Sequence, residues 1–487
     1  MEHKTFDFPE QAGVPSQALS DFLARLEARR IPLHGFVLMR DEKIAAEGYC
    51  PPFSENSLHR MDSASKSFVS AAIGILVSQG KLRLTDRPAD LLPDKAEGCT
   101  DPNILGATIR DLLRMAGPHA FSPYQEEGVT DWVSSFFHPK KPTRMPGQMF
   151  IYDTSNTVTL TAIVERITGK CLLDFLRDCG LAEAGFSPNA YCIQTPCGVS
   201  WAGSGILCTT RDLALFGSIC MNGGRWHGKA IMDPDYLAEA TSRQISSLVN
   251  SDHPFFQYGY GYQFWQFRYG FACYGMGAQL ALCVPEKGVV LAITADTQAL
   301  PSGIDAVLDA ACSLFSEIAD SPLDRAPEAE KVFLEKAASL RIPLPVGDTE
   351  IPDSFAFFGK TFRFQENPMG LKWMRVQKQD NAVVWEYENA SGAHSLTLGL
   401  GDYVEQLFPE LYDGKRISSK DTQYRCMGTA CFPLPNELDM LLYIVDDYLG
   451  SLKASFYFED NHVCVLMKKT AEWFLEEYDG LAFGIAD

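Results

Sequence analysis

The run from Phe68 to Val77 is apolar nearly all round, carrying Val69, Ala71, Ala72, Ile73, Ile75 and Leu76. A helix with so little polar surface is stable only when covered on every side, so this segment predicts a helix buried in a large core. At its start stands Ser63-Ala64-Ser65-Lys66. Residues i and i+3 lie on one helical face, so the Ser63 hydroxyl and the Lys66 amine are expected to converge.

A serine hydroxyl is inert until a neighbouring base takes its proton. An ammonium held among apolar neighbours near a helix N-terminus is pushed toward its proton-accepting form, which makes Ser63 a candidate nucleophile. Spacing alone is weak support. The chain carries a second copy, Ser78-Gln79-Gly80-Lys81, where the glycine marks the end of the same helix and a C-terminal cap is the simpler reading.

With 487 residues and 46% hydrophobic content, the chain has room for one large domain and a smaller one. Its net charge of -20 disfavours nucleic acid and anionic membrane surfaces as partners. No segment approaches the roughly 20 apolar residues of a membrane span, and residues 1–10 lack the apolar stretch of an export signal, so a cytoplasmic location is expected. The 14 cysteines are scattered, many in apolar contexts such as Cys220, Cys283, Cys312 and Cys464, as reduced core residues are. Cys192/Cys197 and Cys426/Cys431 are too widely spaced for a zinc knuckle, and no metal or cofactor is expected.

Leu19, Phe22, Leu23 and Leu26 mark a first amphipathic helix, and residues 34–39 and 43–48 read as two strands around a turn. Helices are expected at 108–115, 156–168 and 210–221, strands near 259–267, 278–284 and 289–294, and a closing helix at 303–318. The fold class is therefore α/β (α+β), an antiparallel sheet built from both ends of residues 1–320 around a helical insertion. Residues 321–347 read as a proline-flanked linker with one helix, 328–340. Beyond it, short alternating runs such as Thr361-Phe-Arg-Phe and Ser455-Phe-Tyr-Phe between Asn, Asp and Gly turns predict a small antiparallel β domain over 348–487, lipocalin-like or barrel-like.

Downstream of the serine, Pro146-Gly-Gln-Met-Phe-Ile-Tyr152 reads as a turn and short strand before a helix. A tyrosine at that boundary can point into a cleft, and beside a lysine its phenol can act as a base. With these pieces in order the chain resembles the penicillin-binding-protein-like serine hydrolases, which include class C β-lactamases, D,D-peptidases, family VIII esterases and nylon-oligomer hydrolases. The resemblance covers about Phe8 to Ile318 and rests on seven blocks in one order. They are Ser63-x-x-Lys66, Gly80-Lys-Leu-Arg-Leu-Thr-Asp-Arg-Pro88, Thr108-Ile-Arg-Asp-Leu-Leu-Arg-Met-Ala-Gly117, Pro146-Gly-x-x-Phe-x-Tyr152, Gly203-Ser-Gly through Ala214, Tyr258 through Trp265, and Tyr274-Gly-Met-Gly-Ala-Gln279.

The resemblance implies Ser63 as nucleophile, Lys66 as proton acceptor or phenolate stabiliser, and Tyr152 as general base. It also implies an oxyanion hole from the backbone N–H groups of Ser63 and Met276. Substrate contacts are expected from Thr154, Tyr260, Trp265, Tyr274, Gly275 and Gln279, while Asp153 and Thr154 are equally readable as a cap of the following helix. The family's third motif, often Lys-Thr-Gly or His-x-Gly, is here Cys273-Tyr274-Gly275, so the cation that handles a β-lactam or peptide carboxylate is missing. The second motif is Tyr152-Asp153-Thr154 in place of Tyr-x-Asn. The expected partner is a small-molecule ester or amide, with homodimerisation left open. Three alternatives remain: β-lactamase or D,D-peptidase/D-aminopeptidase activity, a catalytically weak sensor module of the same fold, and a Ser-His-Asp hydrolase. The last is disfavoured because its nearest elbow, Gly198-Val-Ser-Trp-Ala202, ends in alanine before a glycine loop.

Overall fold

The computed structural model describes residues 4–248, 254–411, 423–446, 449–471 and 474–487. The chain divides into two compact units, Met1–Ile342 and Pro343–Asp487. The first begins with α1 (Ser16–Ala28) and the hairpin of β1 (Leu33–Arg40) and β2 (Lys43–Tyr49). A small sheet of β3 (His59–Arg60), β4 (Tyr191–Cys192) and β5 (Ile206–Cys208) follows, in the order β3-β5-β4. The chain then returns through β6 (Trp265–Phe267), β7 (Gly270–Gly275), β8 (Gln279–Val284) and β9 (Val289–Ala295). These complete a six-stranded antiparallel sheet in the order β2-β1-β9-β8-β7-β6, so both ends of the unit do build one sheet.

The helical insertion contains α2 (Ser65–Ser78), α3 (Ile109–Leu113), α4 (Thr154–Thr168) and α5 (Thr210–Met221), and α6 (Gly303–Glu317) and α7 (Pro327–Ala338) close the unit. Every residue of α2 from Ser65 to Leu76 is buried, as its apolar surface requires. Thr108 with Asp111, and Thr209 with Asp212, form capping boxes that start α3 and α5 where their periodicity begins. Strand β9 is buried along its whole length because α5 packs against it, which explains its unbroken apolar run. No disulfide joins any of the 14 cysteines.

Two expectations need correction. The segment 259–267 is not one strand: only Trp265–Phe267 joins the sheet. Gly259 and Gln263 have positive φ, and the amides of Tyr262 and Gln263 bond to the carbonyls of Ala240 and Leu113 instead of to a neighbouring strand. Helix α7, read as part of a linker, packs on α1 and β2 and belongs to the first unit.

The second unit is a ten-stranded sheet. In chain order its strands are β10 (Thr361–Phe364), β11 (Trp373–Gln379), β12 (Ala382–Glu388), β13 (Ala393–Leu400), β14 (Val404–Leu407), β15 (Arg425–Cys431), β16 (Glu437–Val445), β17 (Leu449–Glu459), β18 (His462–Ala471) and β19 (Gly480–Ala486). Neighbours pair antiparallel, β19 runs between β10 and β18, and a short parallel pairing of β13 with β15 closes the sheet into a barrel.

A buried histidine pair is expected to make the first unit acid-sensitive. His34 on β1 and His59 on β3 stack at 5.4 Å with Phe53 against both, and neither ring nitrogen of His59 has a hydrogen-bond partner among the described residues. Burial pushes both imidazoles down, His59 to about 3. Below about pH 6.5 the unfolded chain binds protons that the folded chain refuses, so stability is complete above that pH and is lost as pH falls toward 3. Each histidine contributes a slope of about 1.4 kcal/mol per pH unit. Urea unfolding at pH 7, 6 and 5 should show a falling midpoint, and His59→Phe should flatten the curve. A midpoint constant from pH 7 to 5 would rule out a buried neutral pair.

Candidate active site

Ser63 lies in a 3-10 turn, Asp62–Ala64, that runs directly into α2. Asp62 has φ 45, a left-handed conformation uncommon outside glycine, and its carboxylate meets Arg60 at 3.4 Å and the Ser204 hydroxyl at 3.3 Å. The other serines of the helix anchor it. The Ser65 hydroxyl accepts from the Ile206 amide, that of Ser67 donates to the Gln263 carbonyl, and that of Ser70 bonds to the Tyr236 hydroxyl. The Ser63 hydroxyl instead faces Lys66.

Lys66 Nζ lies 2.9 Å from Ser63 Oγ and 2.5 Å from the Gly203 carbonyl oxygen, with the side chain 1% exposed. Its Nζ is 4.9 Å from the centre of the Tyr152 ring. Gly203 is required where it stands, because a Cβ there would come within 2.5 Å of Thr154 Cγ2 at the start of α4. This carbonyl was missed in the sequence: a backbone acceptor has no side-chain signature, and the block Gly203-Ser-Gly marked only a tight loop.

Tyr152 stands just before Asp153, the N-cap of α4; the short strand expected around it is not formed. Its phenol lies beside the Ser63 side chain, and its ring stacks on Trp265 at 5.7 Å. Burial pushes the phenol well above its ordinary value, opposed in part by the Ser63 side chain. Asp153 is the N-cap of α4, accepting from Ser155 N at 2.8 Å, Ser155 Oγ at 2.5 Å and Ser122 Oγ at 2.6 Å. Burial raises its carboxyl to about 6.

The far wall is β7. A Cβ on Gly275 would sit 2.2 Å from the Met61 carbonyl oxygen and 3.2 Å from the Ala64 amide nitrogen, so the strand edge can approach the serine turn only with glycine there. Met276 follows in the β7–β8 turn and is 38% exposed. Tyr274 is half-buried, set edge-on to Trp265, and burial lifts its phenol to about 12. Cys273 is fully buried with Ser67 of α2 beside it, so the first residue of the third motif faces α2.

Two expected substrate contacts lie behind this surface. Tyr260 is 1% exposed and packs edge-on to Tyr152 and Trp265, supporting those rings. Gln279 is 1% exposed and donates to the carbonyls of Ala295 and Met276, which ties down the β7–β8 turn. Among the described residues no group of three or more His, Cys, Asp or Glu side chains is placed to hold a metal ion, and no helix is long and apolar enough to cross a membrane.

The sheet flanked by helices, with a serine at the head of a buried helix against a strand edge, defines a serine-hydrolase fold, and the Beta-lactamase family matches residues 19–311. More than half of the chain is covered, and the protein belongs to that family, within the serine hydrolase superfamily. It is similar to the 6-aminohexanoate-dimer hydrolase of Paenarthrobacter ureafaciens, 25% identical over 252 residues. That match spans 47% of this chain and 62% of the relative, less than two thirds of its length. Among solved structures, a candidate 6-aminohexanoate-dimer hydrolase from Bacillus anthracis is 21% identical with a TM-score of 0.50, covering 60% of this chain and 80% of that one. A penicillin-binding protein homologue from Caulobacter crescentus is 15% identical with a TM-score of 0.51, covering 64% and 99%. These two likenesses are of fold.

Proposed function

We propose that this protein hydrolyses ester or amide bonds of small, uncharged molecules through an acyl-enzyme on Ser63. The observation that carries the reading is the convergence on one hydroxyl of Lys66 Nζ, at 2.9 Å, and the Tyr152 phenol. With its phenol pushed up, Tyr152 rests protonated, which suits it to protonate the leaving group. Lys66 in its amine form keeps one N–H on the Gly203 carbonyl and offers its lone pair to the Ser63 proton. Ser63 Oγ then attacks the carbonyl carbon, and the tetrahedral oxyanion is received by the N–H groups of Ser63 and Met276. Collapse expels the leaving group with a proton from Tyr152, and water, activated by the same pair, hydrolyses the acyl-enzyme.

A neutral substrate is favoured because a buried, uncharged Cys273 stands where the third motif carries its cation, and Tyr274 beside it adds a phenol in place of a charge. Trp265, Tyr274 and Met276 supply apolar surface. The relative named for the 6-aminohexanoate dimer agrees with hydrolysis of a small molecule.

Intact-mass spectrometry after exposure to a fluorophosphonate or an activated ester should show one adduct, absent in Ser63→Ala. In the same series, short-chain p-nitrophenyl esters and uncharged amides should exceed nitrocefin and a D-Ala-D-Ala peptide in kcat/KM. Labelling that persists in Ser63→Ala would overturn the nucleophile, and nitrocefin as the best substrate would overturn the substrate class.

A further inference from the structure

The barrel has an outer face that is apolar where solvent should meet it. In an antiparallel sheet with one face on a core, alternation normally turns large apolar residues inward and polar ones outward. Strand β19 reverses this. Ala482 and Gly484 point in, whereas Leu481, Phe483 and Ile485 are 45%, 62% and 51% exposed.

The anomaly extends across the neighbouring strands. Register places Tyr457 of β17, Cys464 of β18 and Phe483 in one row, and Ser455, Leu466 and Leu481 in the next. Tyr457 and Leu466 are 42% and 41% exposed. A groove of about 560 Å³ runs beside Phe483 and Ile485.

Within β17, β18 and β19 the outward-facing charges stand only at the two ends of this band, while Glu437 and Asp439 of β16 flank its middle rows. Beyond the Tyr457 row lie Glu459, His462 and Ile485, while beyond the Leu466 row Lys453 stands opposite Lys468. Arg363 is paired with Asp487 at 2.6 Å and Lys453 with Asp439 at 3.0 Å. Among the described residues no ion pair engages Glu459 or Lys468, so one end of the face carries surplus negative charge and the other surplus positive charge.

We propose that this face is the interface of a homodimer, formed by two copies of the barrel packing β17, β18 and β19 face to face about a two-fold axis through the apolar band. Such an axis reverses strand direction, so the Lys468 end of each copy lies over the Glu459 end of the other. A face with opposite charges at its two ends complements its own inverted copy, and the uncharged band between them offers no repulsion despite the net charge of -20 on the chain. Glu459 and Lys468 lie about three rows apart, roughly 20 Å along the strands. On three strands this band covers roughly 300 Å² per copy, less than a standard interface, so a weak dimer is expected.

Sedimentation velocity of the full chain from about 1 to 200 micromolar should show a monomer–dimer equilibrium. Phe483→Glu should raise Kd at least about 100-fold, because it puts two carboxylates beside the axis in a desolvated patch. Lys468→Glu and Glu459→Lys should each raise Kd about tenfold, and the double exchange should return it to within about threefold of wild type. These two residues are exposed, so the exchange tests the alignment without disturbing the barrel core. A wild-type chain that stays monomeric overturns the proposal, as does a dimer indifferent to Phe483→Glu. Single charge reversals that the double exchange fails to rescue overturn it as well.

Discussion

Lys66→Met and Tyr152→Phe are each expected to lower turnover of a p-nitrophenyl ester by at least about 100-fold, the scale of positioned proton transfer. Methionine keeps the length of a buried side chain that is 1% exposed, so the loss reports the amine and not a cavity. Phenylalanine keeps the stacking on Trp265 and removes only the hydroxyl that meets Ser63. The two changes act on one proton path, so the double variant should fall little below the weaker single. Steady-state kinetics beside thermal melts would decide it. If Tyr152→Phe retains near wild-type turnover, the phenol is packing and the acid that protonates the leaving group lies elsewhere.

Gly275→Ala should be nearly as damaging, although it adds one methyl group remote from any proton. The new Cβ meets the Met61 carbonyl oxygen, a backbone atom, at 2.2 Å, so β7 and the serine turn have to part. Parting them draws the Met276 amide away from Ser63, and loss of one oxyanion donor costs about 100- to 1000-fold in kcat. Binding through Trp265 and Tyr274 should suffer less, so kcat is expected to fall much more than KM rises. A kcat within threefold of wild type would exclude the amide pairing across this contact.

The helices were legible where side chains announce their ends. Thr108 with Asp111 and Thr209 with Asp212 start α3 and α5, and the turn between β1 and β2 falls on Asp41 and Glu42, both with positive φ. Ser63 and Lys66 were legible by spacing and Tyr152 by its place before a helix and the family resemblance, and the structure brings the three side chains together. What could not be read is set by backbone and depth. The Gly203 carbonyl that holds Lys66 has no residue-type signal, and Tyr260 and Gln279 look like surface aromatics and amides until their burial is known. The segment 259–267 alternates like a strand but spends its amides on Ala240 and Leu113, a tertiary choice that periodicity does not record.

The central sheet also sets a clock for biosynthesis. Leu33 at the head of β1 pairs with Ala295 at the end of β9, and β2 reaches the rest of the sheet only through β1. Roughly 250 residues of chain therefore have to be made before the first hairpin finds its neighbour, an interval on the order of 12 to 50 s at 5–20 residues per second. Until then the apolar flank of β1 and the whole of α2 have no completed core to enter. A ribosome-bound intermediate of this protein is thus long-lived and sticky, and holdase chaperones should engage it between the emergence of α2 and that of β9.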